Sequence, residues 1–218
     1  MPPLLRQLDP LPRSFFVRDP RTVACELLGK LLVRREGRYL LAGRIVEAEA
    51  YLGAIDPGAH SYRGMTPRNA VLFGPPGHAY VYFIYGNHYC TNISCMPSGE
   101  SGCVLLRALE PVHGIARMFV NRGLACPAPE TASVPTLRQL TSGPGRLSEA
   151  LAITRPEHNG LDLCSRSSGL YVVSDGSPEP PTVATPRINV THAPHDEWRY
   201  IIPGNPFVSG PRKYSAAP

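Results

Sequence analysis

Residues 78–95, HAYVYFIYGNHYCTNISC, read as two strands joined by a tight turn. β-branched and aromatic residues dominate the first run, and Gly86-Asn87 between the runs favours a short hairpin loop. The GPPG stretch at 74–77 breaks the chain ahead of it. A strand of about 78–85 therefore turns and returns as 88–95, which commits the chain to antiparallel sheet. Four of the ten tyrosines, Tyr80, Tyr82, Tyr85 and Tyr89, fall within this hairpin. Alternation puts Tyr80, Tyr82 and Ile84 on one face and Val81, Phe83 and Tyr85 on the other. Core packing accounts for Val81 and Phe83. It accounts poorly for Tyr85, because a hairpin tip offers few neighbours. An exposed ring at a tip can wedge between stacked bases. Rings on the adjoining face can stack on one base, contributing about 1–3 kcal/mol each.

The rest of the chain gives a mixed pattern. Asp19 caps a helix predicted from about Pro20 to Leu28, and Gly29 stops it. Strands follow at about 30–36 and 38–50, joined at Glu36-Gly37. Thr66-Pro67 opens a short helix near 67–72, and a further strand covers about 102–109. Pro111 starts a helix to about Asn121, followed by a long loop. A helix from about Gly145 to Ala152 and strands near 170–174 and 183–190 complete the order. No βαβ unit repeats. The expected fold is α+β: a single domain with a curved, mostly antiparallel sheet, flanking helices and a protruding β-hairpin.

At 218 residues the chain can bury a substantial core. It has no apolar run of transmembrane length. The first residues are broken by prolines and carry Asp9, unlike a signal peptide, so a cytoplasmic, nucleoid-associated location is expected. Without an export signal the six cysteines read as reduced thiols, several of them small core residues in strands. None has metal-ligand spacing, and neither a metal nor another cofactor is expected. The net charge of +5 is compatible with a polyanion. Its basic residues are nearly all arginine, lysine occurring only at Lys30 and Lys213. That bias suits phosphate binding and equally a GC-rich genome.

Four further features could carry chemistry. In GRIVEAEAYLG, alternation places Ile45, Glu47 and Glu49 on one strand face, the two carboxylates roughly 7 Å apart. They suit the acid pair of a glycosidase or an ordinary solvated face. His60 lies in a turn-rich loop, where a lone histidine is usually a surface group. Arg107, among apolar residues, needs a partner if buried, and Glu47, Glu49 and Glu110 are candidates. TSGPGRL at 141–147 sets Gly145 and Arg146 at a helix start, either a phosphate seat or a plain loop.

Together GRIVEAEAYLG, AHSYRGMTPRNAVLFGPPGHAYVYFIYGNHYCTNIS, CVLLRALEP and LTSGPGRLSEAL resemble the alkyladenine (3-methyladenine, methylpurine) DNA glycosylases. The resemblance covers about residues 12–210, leaving 1–11 as an N-terminal extension and 211–218 as a tail. It implies hydrolysis of the N-glycosidic bond of damaged purines, including 3-methyladenine, 7-methylguanine, hypoxanthine and ethenoadenine, after the nucleotide is flipped from duplex DNA. Carried over, Glu49 is the base that activates water, and Arg107 helps position that water. Tyr51 stacks on one face of the extruded base, with His60 and Tyr82 on the other side. Asn92 at the pocket floor obstructs the 2-amino group of guanine. Tyr85 fills the gap left in the duplex. Arg68, Gly145 and Arg146 are candidates for the DNA backbone. A strand near Asn189-Val190 would offer a carbonyl to the water. This sequence departs from many members in carrying Asn87, where they have Met.

Neither lysine lies in a candidate site segment, so the residues themselves point to hydrolysis without a Schiff base. The Pro2 amine would offer the formamidopyrimidine-type alternative, but no acid follows it and no cysteine pair could hold zinc. A sugar hydrolase using Glu47 and Glu49, and a non-enzymatic nucleic-acid binding module, are the competing classes. The expected partner is double-stranded DNA with a damaged purine, met by a monomer without a membrane.

Overall fold

The computed structural model describes residue 5 and residues 7–127, 132–192 and 195–210. The expected tail at 211–218 and Lys213 lie outside them. The chain forms an α+β fold on one eight-stranded sheet. Its elements are α1 (Arg13–Phe16), α2 (Pro20–Leu27), β1 (Leu31–Glu36), β2 (Tyr39–Tyr51), β3 (Ala79–Ile84), β4 (His88–Cys95), β5 (Gly102–His113), α3 (Ile115–Asn121), α4 (Val134–Thr141), α5 (Pro144–Ala150), α6 (Arg155–His158), β6 (Leu170–Val173), β7 (Val183–Thr185) and β8 (Arg199–Ile201). The order β3-β4-β5-β2-β1-β6 is antiparallel throughout, with β8 on β2 and β7 on β8.

The long strand β2 organises the sheet. On one side it pairs with β5 along its length; on the other it pairs first with β1 and then, from Glu47, with β8. The change coincides with two irregularities. Val46 has no partner on β5, and Arg107 has none on β2. Bulges of this kind bend a strand and turn side chains to a new face. The consequence corrects the simple alternation expected here. Ile45 joins the main core with Ala48 and Ala50, whereas Val46 packs with Ala108, Ile201, Phe207 and Val208. Glu47, Glu49 and Tyr51 thus share a face, and Ile45 does not belong to it.

The main core lies between the sheet and the helices, with α2 on β2 and α5 on β4. Asp19 caps α2 as expected, its carboxylate accepting from the Arg21 amide at 2.8 Å. Cys90, Cys95 and Cys103 are buried strand residues.

Several boundaries differ from expectation. Pro111 does not start a helix: β5 continues to His113, and α3 follows Gly114. Pro111 pairs with Gly43 next to a register shift, and among the described residues no strand pairs with that stretch of β5 on its other side, so its missing N–H costs little. Gly114, at φ 74°, makes the break, because a side chain there would meet the Leu40 carbonyl at 2.6 Å. The helix near 67–72 is only a 3₁₀ segment at Ala70–Phe73. Asn69 diverts it by accepting from the Thr66 amide and donating to the carbonyls of His60 and Gly64. The expected long loop contains α4, started by Pro135. The strand near 183–190 ends at Thr185, and β8 was not anticipated.

Candidate active site

The strand face created beyond the bulge carries the site. Glu49 is completely buried and is ringed by donors. Its Oε1 accepts from the Ile188 amide at 2.8 Å and faces an Arg107 terminal nitrogen at 3.2 Å. Its Oε2 accepts from the Tyr51 hydroxyl at 2.9 Å. Of the three carboxylates suggested for Arg107, the arginine uses two, its Nε donating to Glu47 Oε1 at 3.0 Å. Burial by itself would lower the Arg107 pKa, but the Glu49 and Glu47 charges outweigh it and raise it, so the guanidinium stays charged. Glu110 lies elsewhere, accepting from Asn205.

Glu47 is equally buried, against the solvated face considered above. Both its oxygens are occupied: Oε1 by Arg107 and by Arg199 Nε at 2.6 Å, Oε2 by the Ser209 amide at 2.6 Å.

Ile188 reaches Glu49 because the preceding residue is clamped. Arg187 makes a two-pronged pair with buried Asp56, at 2.6 and 2.9 Å, and donates to the Ala50 carbonyl at 3.1 Å. Its guanidinium lies over the rings of Tyr51 and Trp198, 4.6 and 4.8 Å from their centroids. One residue thus holds the Tyr51 ring and presents the next amide to Glu49. Asn189 follows at φ 59°, so the segment expected as a strand is a turn.

Tyr51, Arg107 and Ile188 cover Glu49, and all three line a cavity of about 460 Å³. Its size and mixture of aromatic and polar walls suit a small planar ligand. His60, Tyr82 and Asn92 line it too. The His60 and Tyr82 rings meet edge-on with centroids 4.5 Å apart. Burial, followed by the charge of Arg68, lowers the His60 pKa, so that ring is neutral at pH 7. Burial raises the Tyr82 and Tyr51 hydroxyls, which stay protonated donors. Asn92 is buried, its amide donating to the Tyr80 carbonyl at 3.0 Å.

Tyr80 is also part of this wall. It lines the cavity, its hydroxyl lies 3.0 Å from His60 Nδ1, and burial pushes it up to about 12. Tyr89 does pack on the core. Phe83 does not: it is 47% exposed and leans on Tyr89 with centroids 5.0 Å apart.

Tyr85 stands at the tip of the hairpin, 76% exposed. The loop has three residues, since Ile84 pairs with His88 and Tyr85 itself turns the chain at φ 55°. A bulky residue in that region carries strain, and such strain clusters at working sites. Arg146 is exposed and Gly145 half-buried where α5 begins at the cavity. A side chain at Gly145 would meet His88 at 2.8 Å, so glycine there lets α5 approach the hairpin. Arg68 is exposed and lies 5.8 Å from the Tyr82 ring centroid, outside the lining.

The structure thus brings Arg107, Tyr51, His60, Tyr82 and Asn92 to one cavity that Tyr85, Gly145 and Arg146 also line, with Glu49 held behind Tyr51, Arg107 and Ile188. Asp56, Arg187, Ile188, Trp198 and Arg199 support it and were not anticipated. Arg187 and Arg199 had one usable signal, the charged residue in a largely apolar segment that drew attention to Arg107. Among the described residues no group of three or more acidic, histidine or cysteine side chains could hold a metal ion, and no helix is long and apolar enough to cross a membrane.

The sequence that builds this site resembles known proteins. Residues 14–206 match the sequence model of the methylpurine-DNA glycosylase (MPG) family. A Koribacter versatilis (strain Ellin345) protein provisionally named 3-methyladenine DNA glycosylase is 58% identical over 208 residues, covering 95% of this chain and 97% of that protein. Proteins given the same provisional name in Burkholderia lata and Burkholderia cenocepacia (strain HI2424) are 49% and 47% identical, each across 92% of this chain and 91% of their own length. The match extends over nearly all the elements that build the cavity, and the chain belongs to the methylpurine-DNA glycosylase family.

Proposed function

We propose that this protein is a monofunctional DNA glycosylase of base excision repair, which extrudes alkylated or deaminated purines from duplex DNA and hydrolyses their N-glycosidic bond. The observation that carries the reading is Glu49, a buried carboxylate held by Tyr51, Arg107 and the Ile188 amide directly beneath an aromatic cavity. A carboxylate oxygen accepts about two hydrogen bonds. Oε1 accepts from the Ile188 amide and faces Arg107, and Oε2 accepts from Tyr51 alone; the water is assigned to the remaining lone pair of Oε2. Glu49 takes a proton from that water as it attacks C1′, and the carboxylate stabilises the positive charge developing on the sugar. Arg107 holds Glu49 in place.

Within the cavity Tyr51 stacks on one face of the base, and His60 with Tyr82 bounds the other. Tyr80 ties His60 to the wall. Asn92 crowds the edge where guanine carries its 2-amino group, a selection against normal purines. Tyr85 enters the space vacated in the duplex, and its strained turn fixes the ring before DNA arrives. Arg68, Arg146 and the Gly145 backbone meet phosphates. No lysine lines the cavity among the described residues, which supports hydrolysis over Schiff-base chemistry. The protein acts as a cytoplasmic, nucleoid-associated monomer.

Duplex DNA containing hypoxanthine, ethenoadenine or 3-methyladenine tests this reading. The free base should be released and the lesion site become alkali-labile. If none of the three bases is released, the assignment is wrong. Activity on free glycosides with loss in both Glu47→Gln and Glu49→Gln would favour the sugar hydrolase.

A further inference from the structure

Behind Glu49 lies a second buried ion pair. Arg199, which pairs in register with Glu49, sends its Nε to Glu47 Oε1 at 2.6 Å. Its terminal nitrogens donate to Thr185 Oγ1 at 3.0 Å and the Ser209 carbonyl at 2.9 Å. Glu47 in turn holds Arg107, whose far end holds Glu49. The four side chains alternate in sign, Arg199, Glu47, Arg107, Glu49, and two carboxylates against two guanidiniums leave no formal net charge. None is more than 10% exposed in its side chain. In so dry a cluster, removal of one charge is felt by the others.

We propose that Glu47 and Arg199 are positioning residues for base excision, whose charge balance decides how far Arg107 is committed to Glu49 and hence the acidity at which excision fails. This rests on the reading of Glu49 as the base. Without Arg199, Glu47 draws Arg107 to itself and the cluster gains a net negative charge. Both changes favour a protonated Glu49. Without the Glu47 charge, Arg107 is left to Glu49 and the cluster turns positive, which favours the ionised base. Among the described residues, the other groups that interact with Glu49 are Tyr51 on β2, Arg187 in the turn after β7 and Cys90 on β4. None bonds Glu47 or Arg199 in the network above, so the comparison leaves them constant.

Single-turnover release of hypoxanthine from duplex DNA across pH gives the test, with lesion affinity and thermal melting measured on every variant. In Glu47→Gln the acid limb should move to lower pH, and in Arg199→Met to higher pH, each by about one unit. The double variant, neutral again, should return towards wild type. Arg199→Lys keeps the charge but not the fork of bonds, so its acid limb should stay and its rate fall about tenfold at near-constant lesion affinity. A merely structural role would lower melting temperature without opposed shifts. Acid limbs that stay fixed, or move the same way in both single variants, would overturn the inference. If Arg199→Met does not fold, Glu47→Gln decides: an acid limb that stays fixed or moves to higher pH in that variant overturns the inference. Failure of the wild type to release base would sink the functional reading. An active wild type, an inactive Glu49→Gln and unmoved acid limbs would sink only this proposal.

Discussion

The Tyr51 hydroxyl donates to Glu49 Oε2 across 2.9 Å, so one side chain faces the cavity with its ring and holds the proposed base with its oxygen. Stacking and chemistry are therefore separable by a single atom. Tyr51→Phe keeps the ring and the Arg187 cation behind it. It removes one of the two hydrogen bonds to Glu49 and leaves the Arg107 ion pair. A hydrogen bond to a charged group contributes about 1.5–3 kcal/mol. Excision should slow roughly tenfold or more while lesion affinity stays within about threefold. Single-turnover rates alongside equilibrium binding to a lesion duplex measure the two separately, and a matched loss in both would show that the hydroxyl serves binding.

Tyr85 offers a second separation, between ring and backbone. Its φ of 55° costs a residue with a side chain about 1–2 kcal/mol, and costs glycine almost nothing. Tyr85→Gly should melt above Tyr85→Ala by about 1 kcal/mol of stability. Both should lose excision alike, because both lose the wedge. Thermal melts read the first comparison and single-turnover excision the second. Full excision activity in either variant would remove Tyr85 from the role.

Asp56 and Arg187 form a buried pair whose side chains are at most 1% exposed. Stripping one partner from such a pair costs about 3–5 kcal/mol. Asp56→Asn should destabilise the protein by that order and release the turn that presents the Ile188 amide to Glu49. Chemical denaturation measures the cost. A variant that remains folded at low temperature should still show slower excision, since the base has lost its anchor.

His158 links acidity to the hairpin. It is buried at the end of α6, and its Nδ1 accepts from the Thr154 amide at 3.0 Å. The next residues brace β3: Asn159 Oδ1 accepts from the Val81 amide, and Gly160 donates to the Ala79 carbonyl. Burial, then the charge of Arg34, lowers the His158 pKa below its ordinary 6.5. The unfolded chain therefore binds the proton first as pH falls. This group's contribution to stability is complete above about 6.5 and is lost as pH falls from there through the folded value. Amide exchange at Val81 should accelerate over that window. His158→Asn, which keeps an acceptor but does not titrate, should flatten the response.

Much of this site was legible as strings of residues, and the gaps have physical causes. The hairpin was readable because β-branched and aromatic residues around Gly86-Asn87 act locally. Its exact turn was not, because Tyr85 adopts a left-handed conformation that its side chain disfavours. Arg107 announced its need for a carboxylate by sitting among apolar residues. The side on which it would find one depended on the paired bulges at Val46 and Arg107, which no alternation rule foresees. Pro111 looked like a helix start and is instead a strand residue, tolerated because among the described residues no strand pairs with β5 on its other side there. The Arg187–Asp56 and Arg199–Glu47 pairs join residues more than 130 positions apart, and only β8, a three-residue strand, brings Arg199 to Glu47. Short strands and long-range pairs leave little local trace.

The central claim is that Glu49 performs the hydrolytic step and does not serve in recognition. Glu49→Gln is nearly isosteric and keeps an oxygen for the Ile188 amide or for Tyr51. The most direct measurement is single-turnover excision by this variant on a hypoxanthine duplex, with its lesion affinity determined in parallel. The account predicts that excision is abolished while lesion binding persists. Base release at the wild-type rate from Glu49→Gln would contradict it.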